Sequence, residues 1–210
     1  MKTNRIFLSF LATAALGAML FLVSGPVRMP SVTAAERTSS APSQVPPGPS
    51  PVRNQPFASV IKVAPFAYCY LTHQGPYTDI QQVIQAMVSE TQAQNIHPTG
   101  PLMALFYNSP DQVPPDELLW EVGFPVMDQA MPEAPLNKKV WEYKTVARAF
   151  HVGPYERAGE TIDRLMQWIS EKGYAADGPV LERYLDMNPS TVNPEKLRTE
   201  IWIPVSPDRS

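Results

Sequence analysis

The stretch His73-Gln74-Gly75-Pro76-Tyr77 returns later in the chain as His151-Val152-Gly153-Pro154-Tyr155. The spacing between the two copies also carries Ile84 onto Ile162, Gly100 onto Gly178 and Pro101 onto Pro179. One residue is inserted near Met187, and the lengthened spacing then carries Pro110 onto Pro189, Leu118 onto Leu197, Glu121 onto Glu200 and Pro125 onto Pro204. Self-similarity of this kind marks a duplicated module. Two copies are too few for a solenoid, so the chain is read as one pseudo-twofold domain.

Each copy has the same order of signals. Phe66 to His73 alternates with the period of two of a strand and stops at Gly75-Pro76. Thr78 to Gln94 carries Ile80, Val83, Ile84, Met87 and Val88 at helical spacing, with Asn95 as its stop. Leu102–Tyr107 and Leu118–Val126 read as strands separated by a Pro-rich loop. In the second copy Val140–His151 reads as a strand and Arg157–Lys172 as a helix with Gly173 as its left-handed cap; Val180–Leu185 and Thr199–Val205 are strands. Met127–Lys139 is taken as a connector. The expected fold is α+β: two strand-helix-strand-strand modules, about 60–126 and 140–205, forming mainly antiparallel sheet with helices packed on it.

The folded part is expected at 57–207, because what precedes it has a different composition. Lys2 and Arg5 lead into an uncharged apolar run, Ile6–Val23, followed by Thr33-Ala34-Ala35, so residues 1–35 read as a secretory signal. The alternative is retention as an N-terminal membrane anchor, since the run is near the lower limit for spanning a bilayer. Residues 36–56 are rich in Ser and Pro with almost no large apolar side chain, which suits a disordered linker. A periplasmic or extracellular location follows, and a monomer is expected.

A formal net charge of −3 without a basic cluster argues against nucleic acid. Cys69 is the single cysteine and sits in an alternating run, which suits a buried strand residue. His73, His97 and His151 lack metal-ligand spacing; no metal and no cofactor are expected, and no Gly-x-Ser-x-Gly elbow or phosphate loop is present.

His-x-Gly-Pro-Tyr, a helix, Gly-Pro, Leu181-Glu182-Arg183-Tyr184-Leu185, Asn188-Pro189 and Arg198-Thr199-Glu200-Ile201-Trp202-Ile203-Pro204-Val205 together resemble the GyrI-like small-molecule-binding family, also known as the AraC-type effector-binding domain. The resemblance runs from about Val60 to Val205. It implies a groove between the two modules that takes hydrophobic, often cationic or aromatic, small molecules, with the Glu of Glu-x-Tyr as its acidic residue. Only the signal-like run and the linker are read ahead of the domain, with no helix-turn-helix segment, so a role other than the family's usual transcriptional sensing is expected.

Glu182 lies in an otherwise apolar strand, where a carboxylate is costly unless it is solvated, paired or met by a cationic ligand. Its equivalent in the first copy is Ala104, so the two halves differ there. The ligand-contacting set is taken as Glu182, Tyr184, Tyr155, Trp202, Glu200, Tyr77, Phe106 and Trp168. Glu121, the equivalent of Glu200, is expected in a surface pair with Lys or Arg. Some members of the family are hydrolases; in that alternative Glu182 and Glu200 are general acid and base, with Tyr155 or Tyr184 as proton donor. A non-catalytic interaction module tethered at the membrane is the third reading.

Overall fold

The computed structural model describes residues 56–186 and 188–208. The signal or anchor at 1–35, nearly all of the linker at 36–56 and the insertion at Met187 lie outside the described residues. Strands β1 (Ala58–Lys62), β2 (Phe66–Gln74), β3 (Met103–Phe106) and β4 (Leu119–Pro125) and helix α1 (Ile80–Ala93) form the first part. The second part holds β5 (Asn137–Trp141), β6 (Thr145–Val152), α2 (Ala158–Glu171), β7 (Tyr174–Ala176), β8 (Val180–Tyr184) and β9 (Arg198–Pro207).

The strands make one sheet in the order β1-β6-β9-β8-β3-β4-β2-β5, with β7 beside β9 and every pairing antiparallel. The architecture is the expected α+β one. Matching hydrogen bonds show the duplication: Gly75 N–H donates to Leu118 O and Gly153 N–H to Leu197 O, each at 2.9 Å. Thr99 and Asp177 likewise donate to Pro125 O and Pro204 O, each at 2.8 Å. Gly75 and Gly153 have φ of 148° and 138°, a region that favours glycine, which explains why both copies keep it at the strand-to-helix turn.

Two strands depart from the expected order. Val140–His151 is not one strand but parts of two, and β5 begins inside the stretch taken as a connector. β5 precedes β6 in the chain yet pairs with β2 of the first module; β1 precedes β2 yet pairs with β6 of the second. The two modules thus exchange their first strands, and each covers the other's outer edge.

Alternation sorts the side chains onto two faces. Ala67, Cys69, Trp120 and Val122 pack with Val83 and Met87 of α1. Ala147, Ala149, Ile201 and Ile203 pack with Ile162, Leu165 and Ile169 of α2. Among the described residues no helix lies on the other face, yet Tyr68, Met103, Leu105, Trp141 and Leu181 are buried there. Trp141 of β5 meets Trp202 of β9 at 6.4 Å between ring centroids, although five strand steps separate them in the sheet. A flat sheet would hold those strands about 24 Å apart at ~4.8 Å per step. The sheet therefore curls around its helix-free face.

Candidate functional site

The site grows from the central strand pair. α1 packs on β2 and β4, and α2 on β6, β7 and β9, so β3 and β8 lie between the helices. Across that pair Ala104 stands directly opposite Glu182, Phe106 opposite Val180 and Leu105 opposite Leu181. Leu105 and Leu181 belong to the helix-free core, whereas Phe106 packs into the α1 core and Val180 into the α2 core. By alternation Ala104, Glu182 and Tyr184 share the helix-bearing face. Glu182 is thus the floor of a trough between α1 and α2, and it is 7 % exposed.

Equivalent aromatic pairs flank this floor. Tyr77 meets Phe106 edge-on at 5.0 Å and 73°, and Tyr155 meets Tyr184 at 5.1 Å and 67°. Tyr77 and Tyr155 sit just after the Gly-Pro turns and are aimed by them. The Tyr77 hydroxyl donates to Asn108 O at 2.8 Å; the Tyr184 hydroxyl donates to Glu182 Oε2 at 3.0 Å. Thr199, directly opposite Tyr184 on β9, is buried with its hydroxyl lacking a hydrogen-bond partner.

Burial pushes the Glu182 carboxyl up to about 7, against the opposing effect of the Tyr184 hydrogen bond. Tyr155 is pushed up to about 12 by burial and then by the charges of Asp186 and Glu182; Tyr77 is raised by burial and then by Glu182. On α2, burial and then Asp111 raise Asp163 to about 6, and its Oδ1 is buried without a hydrogen-bond partner. Asp163 lies on the wall of α2 that looks toward the Asp111 loop of the first module, a placement the sequence did not suggest.

The structure brings Glu182, Tyr184, Tyr155, Tyr77 and Phe106 together and leaves three of the expected residues elsewhere. Glu200 lies opposite Arg183, and Trp202 opposite Leu181, on the helix-free face. Glu200 is held by the Arg183 guanidinium and lies 3.7 Å from that of Arg148. It therefore cannot share a substrate with Glu182 as an acid-base pair across the thickness of the sheet. Trp168 stands on α2 beside the second-half core, with the Lys172 ammonium 6.0 Å from its ring. Glu121 is paired with Lys139 at 2.7 Å as expected, but it is buried rather than on the surface. Tyr68 donates to it at 3.3 Å, and Lys139 also donates to the Tyr107 hydroxyl at 2.7 Å.

Residues 58–206 match the family described as GyrI-like small molecule binding domain. The chain belongs to that family. Among solved structures, this GyrI-like domain is similar to the EcmrR C-terminal domain, at 19 % identity and a TM-score of 0.64 over 71 % of this chain and 97 % of that one. It is also similar to a hydrolase encoded by lin2189 from Listeria innocua, at 18 % identity and a TM-score of 0.55 over 71 % and 91 % of the two chains. An uncharacterized conserved protein from Listeria innocua gives 18 % identity and a TM-score of 0.57 over 71 % and 92 %. No curated protein matches the chain. At these identities the likeness concerns the GyrI-like fold.

Proposed function

We propose that this GyrI-like domain takes up hydrophobic cations, lipophilic or aromatic, in the trough over β3 and β8. The observation that carries this is the Glu182 carboxyl, nearly fully buried between two aromatic pairs, with a tyrosine hydroxyl rather than a cation as its side-chain partner. A buried carboxylate is costly without a counter-charge, and a bound cation supplies one. The rings of Tyr77, Phe106, Tyr155 and Tyr184 offer faces to flat or cationic groups. The test is titration with tetraphenylphosphonium and with neutral triphenylphosphine oxide. Glu182→Gln should weaken the cation at least about tenfold, as expected for loss of a charge-assisted contact, and leave the neutral compound nearly unchanged. Equal losses for both would sink the reading.

A second reading is hydrolysis, favoured by the contact of the Tyr184 hydroxyl with a carboxyl poised near neutrality. A group at about 7 both donates and accepts protons at physiological pH. The solved relative described as a hydrolase shares the fold and leaves this alternative standing. Turnover of a bound ligand that Glu182→Gln abolishes without loss of folding would establish it.

The charged start and apolar run at Lys2–Val23 support export, with 36–56 as a tether to a folded monomer outside the cytoplasm. Cell fractionation with N-terminal sequencing separates cleavage from anchoring, and finding the protein in the cytoplasm would overturn export.

A further inference from the structure

We propose a second small-molecule site, for a small aromatic carboxylate, at the β1–β6 edge of the sheet. A cavity of about 280 Å³ opens there, lined by Pro56, Phe57, Ala58, Ser59, Arg148 and Phe150. It is independent of the trough. Arg148 stands directly opposite Trp202, and Phe150 opposite Glu200, so both side chains lie on the face away from Glu182.

Charge selects an anion. Glu200 has one carboxylate and two guanidiniums beside it: Arg183 takes Oε2, while Arg148 stays 3.7 Å from Oε1, beyond hydrogen-bond length. Arg183 is further held over the Trp202 ring at 4.5 Å. Glu121, the other buried carboxylate of this face, is met by Lys139. Of the three described cations beside these two carboxylates, Arg148 is therefore the one whose counter-charge is incomplete, and it lines the cavity. Its side chain is 34 % exposed and accessible.

The neighbouring groups are donors and rings. Ser59 pairs directly with Arg148 across the β1–β6 ladder and brings a hydroxyl. On the other side of Arg148, Trp202 is 7 % exposed and its indole N–H is buried with no acceptor. Phe150 is 49 % exposed, large and apolar, with its ring centroid 5.3 Å from the Arg148 guanidinium carbon. A planar carboxylate fits this set: the guanidinium fork matches its two oxygens, and its ring lies against Phe150. The cavity is close to the lower end of small-ligand pockets, which limits the ligand to one or two rings.

The test uses the full chain and benzoate, with benzamide, benzylamine and inorganic phosphate as comparisons, read by saturation-transfer NMR and calorimetry. Benzoate should bind, benzylamine should not, and tetraphenylphosphonium should fail to displace benzoate. Arg148→Gln should weaken benzoate at least about tenfold while leaving tetraphenylphosphonium affinity unchanged. Phe150→Ala, at a position about half exposed, should weaken benzoate more than phosphate. Displacement of benzoate by tetraphenylphosphonium, undiminished binding in Arg148→Gln, or phosphate binding as tightly as benzoate would each overturn the proposal. If Arg148→Gln lowers the melting temperature, Arg148→Lys replaces it: weaker benzoate binding from that variant supports the fork, and unchanged binding refutes it.

Discussion

Ala104 and Glu182 face each other across the β3–β8 ladder, and each is the other's equivalent in the duplicated sequence. A residue paired with its own repeat equivalent sits on the pseudo-twofold axis. The axis therefore passes through the floor of the trough, and the domain carries a methyl group on one side of it and a carboxyl on the other. A Glu on both sides would set two buried like charges against each other, whereas one Glu opposite an Ala leaves room for a ligand group at the centre.

Binding of a hydrophobic cation should depend on pH with a midpoint set by Glu182. The carboxyl is protonated in the free protein below about 7, and the cation requires it ionised. Affinity should rise up to about tenfold per pH unit below the midpoint and level off above it. Tyr184→Phe removes the hydrogen bond that lowers this value, so the midpoint should move upward. A titration of tetraphenylphosphonium affinity from pH 5 to 9 checks both statements; a flat profile in the unmodified protein would contradict them.

The same group should shape stability. Its folded value of about 7 lies above the ordinary 4.5, so the folded state binds this proton more tightly than the unfolded state. The resulting stabilisation is full below about pH 4.5 and is lost as pH rises through 7. The loss is at most about 3.5 kcal/mol, at ~1.4 kcal/mol for each pH unit between the unfolded and folded values. Glu182→Gln escapes it, so its melting temperature relative to the unmodified protein should rise from pH 5 to pH 8 by up to about 5–10 °C. Calorimetry at the two pH values decides.

Glu121→Gln and Glu200→Gln should act on folding and not on the trough. Each leaves a cation without its buried partner on the helix-free face, Lys139 in one case and Arg183 in the other. A cost of about 1–3 kcal/mol in urea unfolding is expected for each, with tetraphenylphosphonium affinity unchanged. Loss of cation affinity in Glu200→Gln at constant fold would place that carboxylate in the site after all.

Gly123→Ala and Gly159→Ala should have opposite signs. A Cβ at Gly123 would lie 2.4 Å from the Cys69 carbonyl oxygen, so β2 and β4 would have to separate at a cost of about 1–3 kcal/mol or more. At Gly159 in α2 a Cβ meets nothing within 4 Å, and better helix propensity should add about 0.5–1 kcal/mol. Thermal melts of the two variants test the packing of each position separately.

The sequence by itself determined the duplication, the helices and most of the strands. These are local properties: period two around Cys69, period 3.6 from Ile80 to Val88, and Gly-Pro turns at matched places each act within a few residues. It also showed, through the Ala104–Glu182 mismatch, which position breaks the symmetry. Only the tertiary structure decided where β1 and β5 pair, because strand partners are chosen by long-range burial of edges that a single strand does not record. It likewise decided that Glu182 and Glu200 lie on opposite faces. Alternation tells which residues of one strand share a side, but which side meets the helices depends on register across β8 and β9, and a one-residue shift of β9 would have put both glutamates on the same face.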